Sequence, residues 1–165
     1  MRITEALLRR LIREMASEQP LYTGVIISDP GTLRQMIYTL GLDRDIEGWE
    51  TSNIAAHGNE QLNHHMTLTP GALKTSDPTR DFLGASVELT VVGWGVNHKL
   101  GVAAWQVLPL EGLPIKSGVP HITAALGDAG VKPFLATKIT DWSPLDTPFV
   151  VQGTLDEVFP VPSDA

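Results

Sequence analysis

The chain contains no cysteine, which removes disulfides, thiolate metal sites and cysteine nucleophiles together. No apolar run approaches the roughly 18–20 residues that a membrane span requires. The opening stretch "MRITEALLRRLIREMASEQ" is charged throughout and lacks the apolar core of a signal peptide. Basic residues are scarce as well: 12 Lys and Arg stand against 19 Asp and Glu, a net charge of −7, with no basic cluster beyond the first fourteen residues. Proteins that grip long duplexes by neutralising phosphates present a basic surface. Any phosphate-bearing substrate is therefore expected to be a small nucleotide or a strand end. These absences together lead us to expect a soluble, cytoplasmic protein with no membrane partner. Neither a "GxxxxGK" phosphate loop nor a "GxGxxG" fingerprint occurs, and "GLDRDIE" and "GDAG" lack calcium-loop spacing.

What is present suits a compact fold. Hydrophobic residues make up 42% of the 165 positions, enough for one domain or two small lobes sharing a core. Residues 3–16 carry an amphipathic helical pattern, with Ile3, Leu7, Leu8, Leu11, Ile12 and Met15 at spacings of three and four. The expected organisation is an N-terminal helix over 1–19, a domain over 20–160 and a frayed tail over 161–165.

"LYTGVIIS" reads as a buried strand. "DPGT" then opens a helix that Asp29 or Thr32 can cap, with Leu33, Met36, Ile37 and Leu40 inward and Gly41 as the stop. Residues 43–62 read as a loop or short helix. "HHMTLT" is a strand by alternation. "ASVELTVVGWGVNHKLGVAAWQVL" reads as two long strands joined near "GVNHKLG". "PHITAAL" and residues 149–159 complete the strands, and the order predicts an α+β domain built on antiparallel sheet.

Two of those strands share an order of residues. In "NHHMTLTP" and again in "VPHITAAL", a His is followed by one apolar residue and a Thr. Alternation puts His65 and Thr67 on one strand face, and His121 with Thr123 and Ala125 on another, while Met66 and Ile122 enter the core. A His and a Thr so spaced lie about 7 Å apart along a strand. Both can then reach one phosphate, the imidazole to move a proton and the hydroxyl to donate to a non-bridging oxygen. Two such pairs face to face supply a general base and a general acid to a phosphodiester, with no metal or other cofactor required by the scheme.

The paired motifs His65-Met66-Thr67 and His121-Ile122-Thr123 resemble the signature of the 2H phosphoesterases over roughly residues 20–160. That resemblance implies a two-lobed fold, with antiparallel sheets, flanking helices and a central groove. It also implies a metal-independent phosphodiesterase acting on 2′,3′-cyclic phosphate ends, cyclic oligonucleotides or 2′,5′-linked oligomers, such as an RNA end or a small nucleotide. Its members include RNA ligase-associated enzymes and viral proteins that destroy cyclic nucleotide signals. Carried over position by position, His65 and His121 are the acid–base pair, with His121 as base and His65 as acid for cyclic phosphate hydrolysis. Thr67 and Thr123 hold the phosphate.

Other residues are weaker candidates. Tyr22 and Trp105 could stack on a base, against a default of core packing for Trp105 and its neighbour Trp94. His64 falls on the core side, where a structural role is expected. His57 and His98 fall in loops. A zinc site from His57, His64, His65 and Glu60 matches no established ligand spacing. Lys74, Lys99 and Lys116 flank the motif strands. Two non-catalytic alternatives stay open: a nucleotide-binding module, and a viral structural or assembly protein that docks through its N-terminal helix.

Overall fold

The structure is a computed structural model that describes residues 4–9, 19–113, 115 and 118–161. It is an α+β fold with one antiparallel sheet of six strands. In chain order these are β1 (Tyr22–Ile27), helix α1 (Pro30–Thr39), β2 (His65–Pro70), β3 (Ser86–Asn97), β4 (Val102–Val107), β5 (His121–Leu126) and β6 (Trp142–Val158). Short 3-10 turns at Leu42–Ile46, Pro78–Phe82 and Pro133–Lys138 punctuate the loops. Across the sheet the order is β2-β1-β6-β3-β4-β5, so the two strands carrying His-x-Thr are its two edges. The sheet curls until those edges come into contact.

Local chemistry accounts for most elements. Pro30 occupies the first turn of α1, Asp29 caps it by accepting from the Thr32 backbone N–H, and Gly41 leaves the helix at φ 72°, a conformation that costs glycine nothing. Leu33 and Ile37 are fully buried; Leu40, expected inward, lies exposed at the C-cap. The β3–β4 hairpin turns through residues 98–101, where Asn97 accepts from the Leu100 N–H and Gly101 sits at φ 74°.

One core cluster unites both halves of the sheet: Val25, Met66 and Leu155 from one side, Leu89, Trp105 and Ile122 from the other. A second, smaller cluster of Leu62, Val102, Ala104, Leu126, Ala136 and Ile139 packs beneath the Pro133–Lys138 turn.

The last strand begins earlier than its sequence suggests. Trp142, Ser143 and Pro144 pair with Gly95, Trp94 and Gly93 before a break in register, and pairing resumes at Phe149 opposite Val91. Pro144 and Pro148 hide this section from a pattern reading, since proline usually marks the end of a central strand. At the other end Val161 is not frayed: its N–H donates to the His57 carbonyl at 2.7 Å. Of the N-terminal pattern, residues 5–9 are helical, with Leu7 partly buried, and Ile3, Leu11, Ile12 and Met15 lie outside the described residues. Among the described residues no helix is long and apolar enough to cross a membrane.

Candidate functional site

Register along the edges sets the site. On one side Ile26 pairs with His65 and Gly24 with Thr67; on the other Gln106 pairs with His121 and Ala104 with Thr123. Gly24 is required by close approach, because a Cβ there would lie 2.4 Å from the Met66 carbonyl oxygen.

Both pairings then slip by one residue directly after the threonine. Thr23 and Gly24 face Thr69 and Thr67, leaving Leu68 extra; Ala103 and Ala104 face Ala125 and Thr123, leaving Ala124 extra. Bulges of this kind re-aim nearby side chains. Each edge thus repeats one structural phrase: His, buried apolar residue, Thr, bulge. The second bulge also reverses the expected alternation, sending Ala125 into the main core and Leu126 into the smaller cluster.

Asn63 joins the two edges. It is fully buried and adopts φ 56°, a left-handed conformation that Asn tolerates better than most residues. Its backbone N–H donates to the Thr123 carbonyl at 2.8 Å. Its side-chain amide donates to the Ala124 and Thr51 carbonyls at 2.9 and 3.1 Å, and its Oδ1 accepts from Trp105 Nε1 at 3.0 Å. Every polar atom of the amide is satisfied.

Between the edges opens a cavity of about 290 Å³, lined by His65, Thr67, His121 and Thr123 together with Tyr22 and Phe134. Tyr22 stacks on His65 with ring centroids 4.3 Å apart. The Thr67 hydroxyl has no hydrogen-bond partner among the described residues, and that of Thr123 makes only a long contact of 3.4 Å to the Pro133 carbonyl. Both hydroxyls are available to an incoming oxyanion.

The two imidazoles are held differently. His121 Nδ1 lies 2.7 Å from the Val119 carbonyl. A carbonyl only accepts, so Nδ1 carries the hydrogen and Nε2 of the neutral ring keeps its lone pair. Burial lowers the His121 pKa below its usual value, and the Val119 hydrogen bond opposes that only partly. His65 is pushed down to about 3, by burial first and then by the like charges that His64, His121 and His57 would carry. Near neutral pH both rings are uncharged.

His64 has the structural role expected of it, beside His65. It is half-buried, and its Nδ1 lies 3.1 Å from His65 Nδ1. One of these atoms donates and the other accepts, so His64 orients the His65 ring. Burial lowers the His64 pKa, with Arg34 adding to the effect and Glu60 opposing it.

A second cavity of about 430 Å³ adjoins the first and shares Tyr22, His65, Pro133 and Phe134 with it. No carboxylate lines the first cavity, and of those lining the second only Glu60 is acidic. Glu60 is already engaged by the Asn53, Gln61 and Leu62 N–H groups, the Ser52 hydroxyl and Arg34. Burial would raise its pKa, but these hydrogen bonds and Arg34 bring it below the usual carboxylate value. In a chain of net charge −7, the lining of this groove holds one carboxylate, and that one is engaged.

Of the residues singled out from the sequence, His65, Thr67, His121, Thr123 and Tyr22 meet in one cavity. Trp105 does not. It is fully buried, packs edge-on against Trp94 and Phe149, and spends its N–H on Asn63. A base cannot reach it, and its default core role is the correct one.

His98 packs edge-on against Trp49. Lys74 and Lys99 line neither cavity, and Lys116 lies outside the described residues. His57, His64, His65 and Glu60 do not converge as a ligand set: among the described residues no group of three His, Asp or Glu could hold a metal.

Asn63, Arg34 and Phe134 were missed. Arg34 ties α1 to the Thr51 and Leu62 carbonyls at 2.9 and 3.2 Å. Phe134 is 61% exposed on the Pro133–Lys138 turn, and only its "KPF" context, a proline turn presenting an aromatic, could have drawn attention to it. Compared with known proteins, the chain matches no family model, and no curated protein matches its sequence.

Proposed function

We propose that this chain is a metal-independent phosphodiesterase of the 2H type, acting on nucleotide phosphodiesters. The observation that carries the reading is the convergence of two His-x-Thr segments, far apart in sequence, on one cavity with a matching bulge behind each threonine. What supports the reading in the fold is the sheet order β2-β1-β6-β3-β4-β5, one continuous antiparallel sheet with a His-x-Thr segment on each edge strand.

In this scheme a phosphodiester enters between the edges, and Thr67 and Thr123 donate to its non-bridging oxygens. His121 Nε2 removes a proton from water or a neighbouring ribose hydroxyl as its oxygen bonds to phosphorus. The bond from phosphorus to the leaving oxygen breaks, and that oxygen takes a proton from His65. The negative charge of the bound phosphate favours the protonated His65 that the empty site disfavours. Solvent exchange then restores both rings.

The neutral imidazole pair also favours one competing reading, a module that binds a nucleotide without cleaving it. Turnover of a cyclic dinucleotide or a 2′,3′-cyclic nucleotide in the presence of a chelator separates the two. As an enzyme, His65→Ala and His121→Ala each lose at least about a hundredfold in kcat while keeping the wild-type circular dichroism spectrum. Near-wild-type turnover in either variant removes the proposed pair.

A further inference from the structure

Beside the cavity between the His-x-Thr edges lies the second, larger one, and the two are joined through the shared rings of Tyr22, His65 and Phe134. A terminal cyclic phosphate carries one nucleoside and needs only one flanking space. This groove provides space on the far side of His65 as well.

The second compartment is preformed. Its outer wall is the loop over residues 55–60, which is pinned at several points. Val161 N–H donates to the His57 carbonyl at 2.7 Å, Asn59 Nδ2 donates to the Phe159 carbonyl at 2.9 Å, and Glu60 gathers the hydrogen bonds described above. Gly58, at φ 87°, packs so tightly on Val161 that a Cβ would lie 2.6 Å from it. A wall held this way costs little ordering entropy when a ligand arrives.

Its lining suits a nucleoside. Phe134 offers an exposed aromatic face at the boundary of the two compartments, and stacking on such a face is worth about 1–3 kcal/mol per base. Gln61 brings both donors and an acceptor. His57 lines the compartment, and because its Nδ1 accepts from the Asn59 N–H at 3.3 Å, Nε2 is the ring's donor. Lys132 adds the one cation of the lining.

We infer that the ligand of this site is a phosphodiester flanked by nucleosides on both sides, with the phosphate between the His-x-Thr edges and one nucleoside in the compartment formed by His57, Gln61, Lys132 and Phe134. This rests on the phosphodiesterase reading above and narrows its substrate class to internal linkages of linear or cyclic oligonucleotides.

The test is calorimetric binding to the full chain of two probes, a non-hydrolysable dinucleoside phosphorothioate and a nucleoside 3′-monophosphate, with turnover measured in parallel. The dinucleoside probe is expected to bind at least about tenfold more tightly, matching the stabilisation of one stacked base. The double variant His57→Ala/Gln61→Ala should shrink that ratio at least about threefold, because donors are lost on one side only. Equal affinities for the two probes, an unchanged ratio in the variant, or binding of neither probe would overturn the inference. A preserved ratio without turnover of any diester sinks the catalytic reading alone and leaves the two-nucleoside site standing.

Discussion

Acidification should cost this protein stability through His65, and the amount can be worked out. The ring is held at about 3 in the folded chain against an ordinary value of 6.5, because burial and the neighbouring imidazoles disfavour its charged form. The unfolded chain therefore takes up a proton as pH falls through 6.5 that the folded chain refuses. A depressed histidine thus removes stability below the unfolded value, and the loss continues until pH reaches the folded one.

Between about pH 7.5 and about pH 5 the linkage amounts to about 2 kcal/mol, approaching about 5 kcal/mol only near pH 3. His64 and His121 shift the same way, so the wild type alone cannot isolate one ring. The comparison is with His65→Asn, which keeps a polar group beside His64 without titrating. Urea unfolding at both pH values should show the wild type losing about 2 kcal/mol more than the variant. Equal losses would mean that His65 titrates normally in the folded state, and the account of a buried imidazole held uncharged would fail.

The same shifts govern activity. A mechanism needing one protonated and one free imidazole loses its productive free-enzyme fraction above the higher of the two folded values, and both are lowered from 6.5; kcat/KM should therefore peak on the acid side of that value, and a plateau at alkaline pH would contradict the scheme. Asn63→Ala strands Trp105 Nε1 and the Ala124 and Thr51 carbonyls, for an expected loss of about 2–4 kcal/mol in urea unfolding; a loss under about 1 kcal/mol would show that the edges close without this clasp. Gly24→Ala drives a methyl group into the Met66 carbonyl and should cost about 1–3 kcal/mol, with a greater loss of turnover than of stability because the strand it displaces carries His65 and Thr67. A neutral substitution there would refute the close approach.

Legibility followed the range of the interactions involved. The cap at Asp29, the stop at Gly41 and the turn before Gly101 are settled within a few residues, so the sequence showed them plainly. The opening half of β6 did not show, because Pro144 and Pro148 oppose a strand and only the partner β3 makes one. Alternation predicted the faces of His65 and Thr67 correctly, then failed beyond Thr123, where a bulge that depends on β4 inserts an extra residue. For Trp105 the strand pattern offers core packing by default and a groove as the weaker alternative, because it cannot say which face of a curled sheet is inside.

What the sequence determined alone was the chemistry on offer: two strands, each with a His and a Thr on one face and an apolar residue between them, in an acidic chain without thiols. Whether those strands meet was decided by tertiary structure. They are the opposite edges of the sheet, and they come together where the sheet curls and Asn63 satisfies its amide across the seam. Contacts of that kind join residues distant in the chain, and no local pattern encodes them.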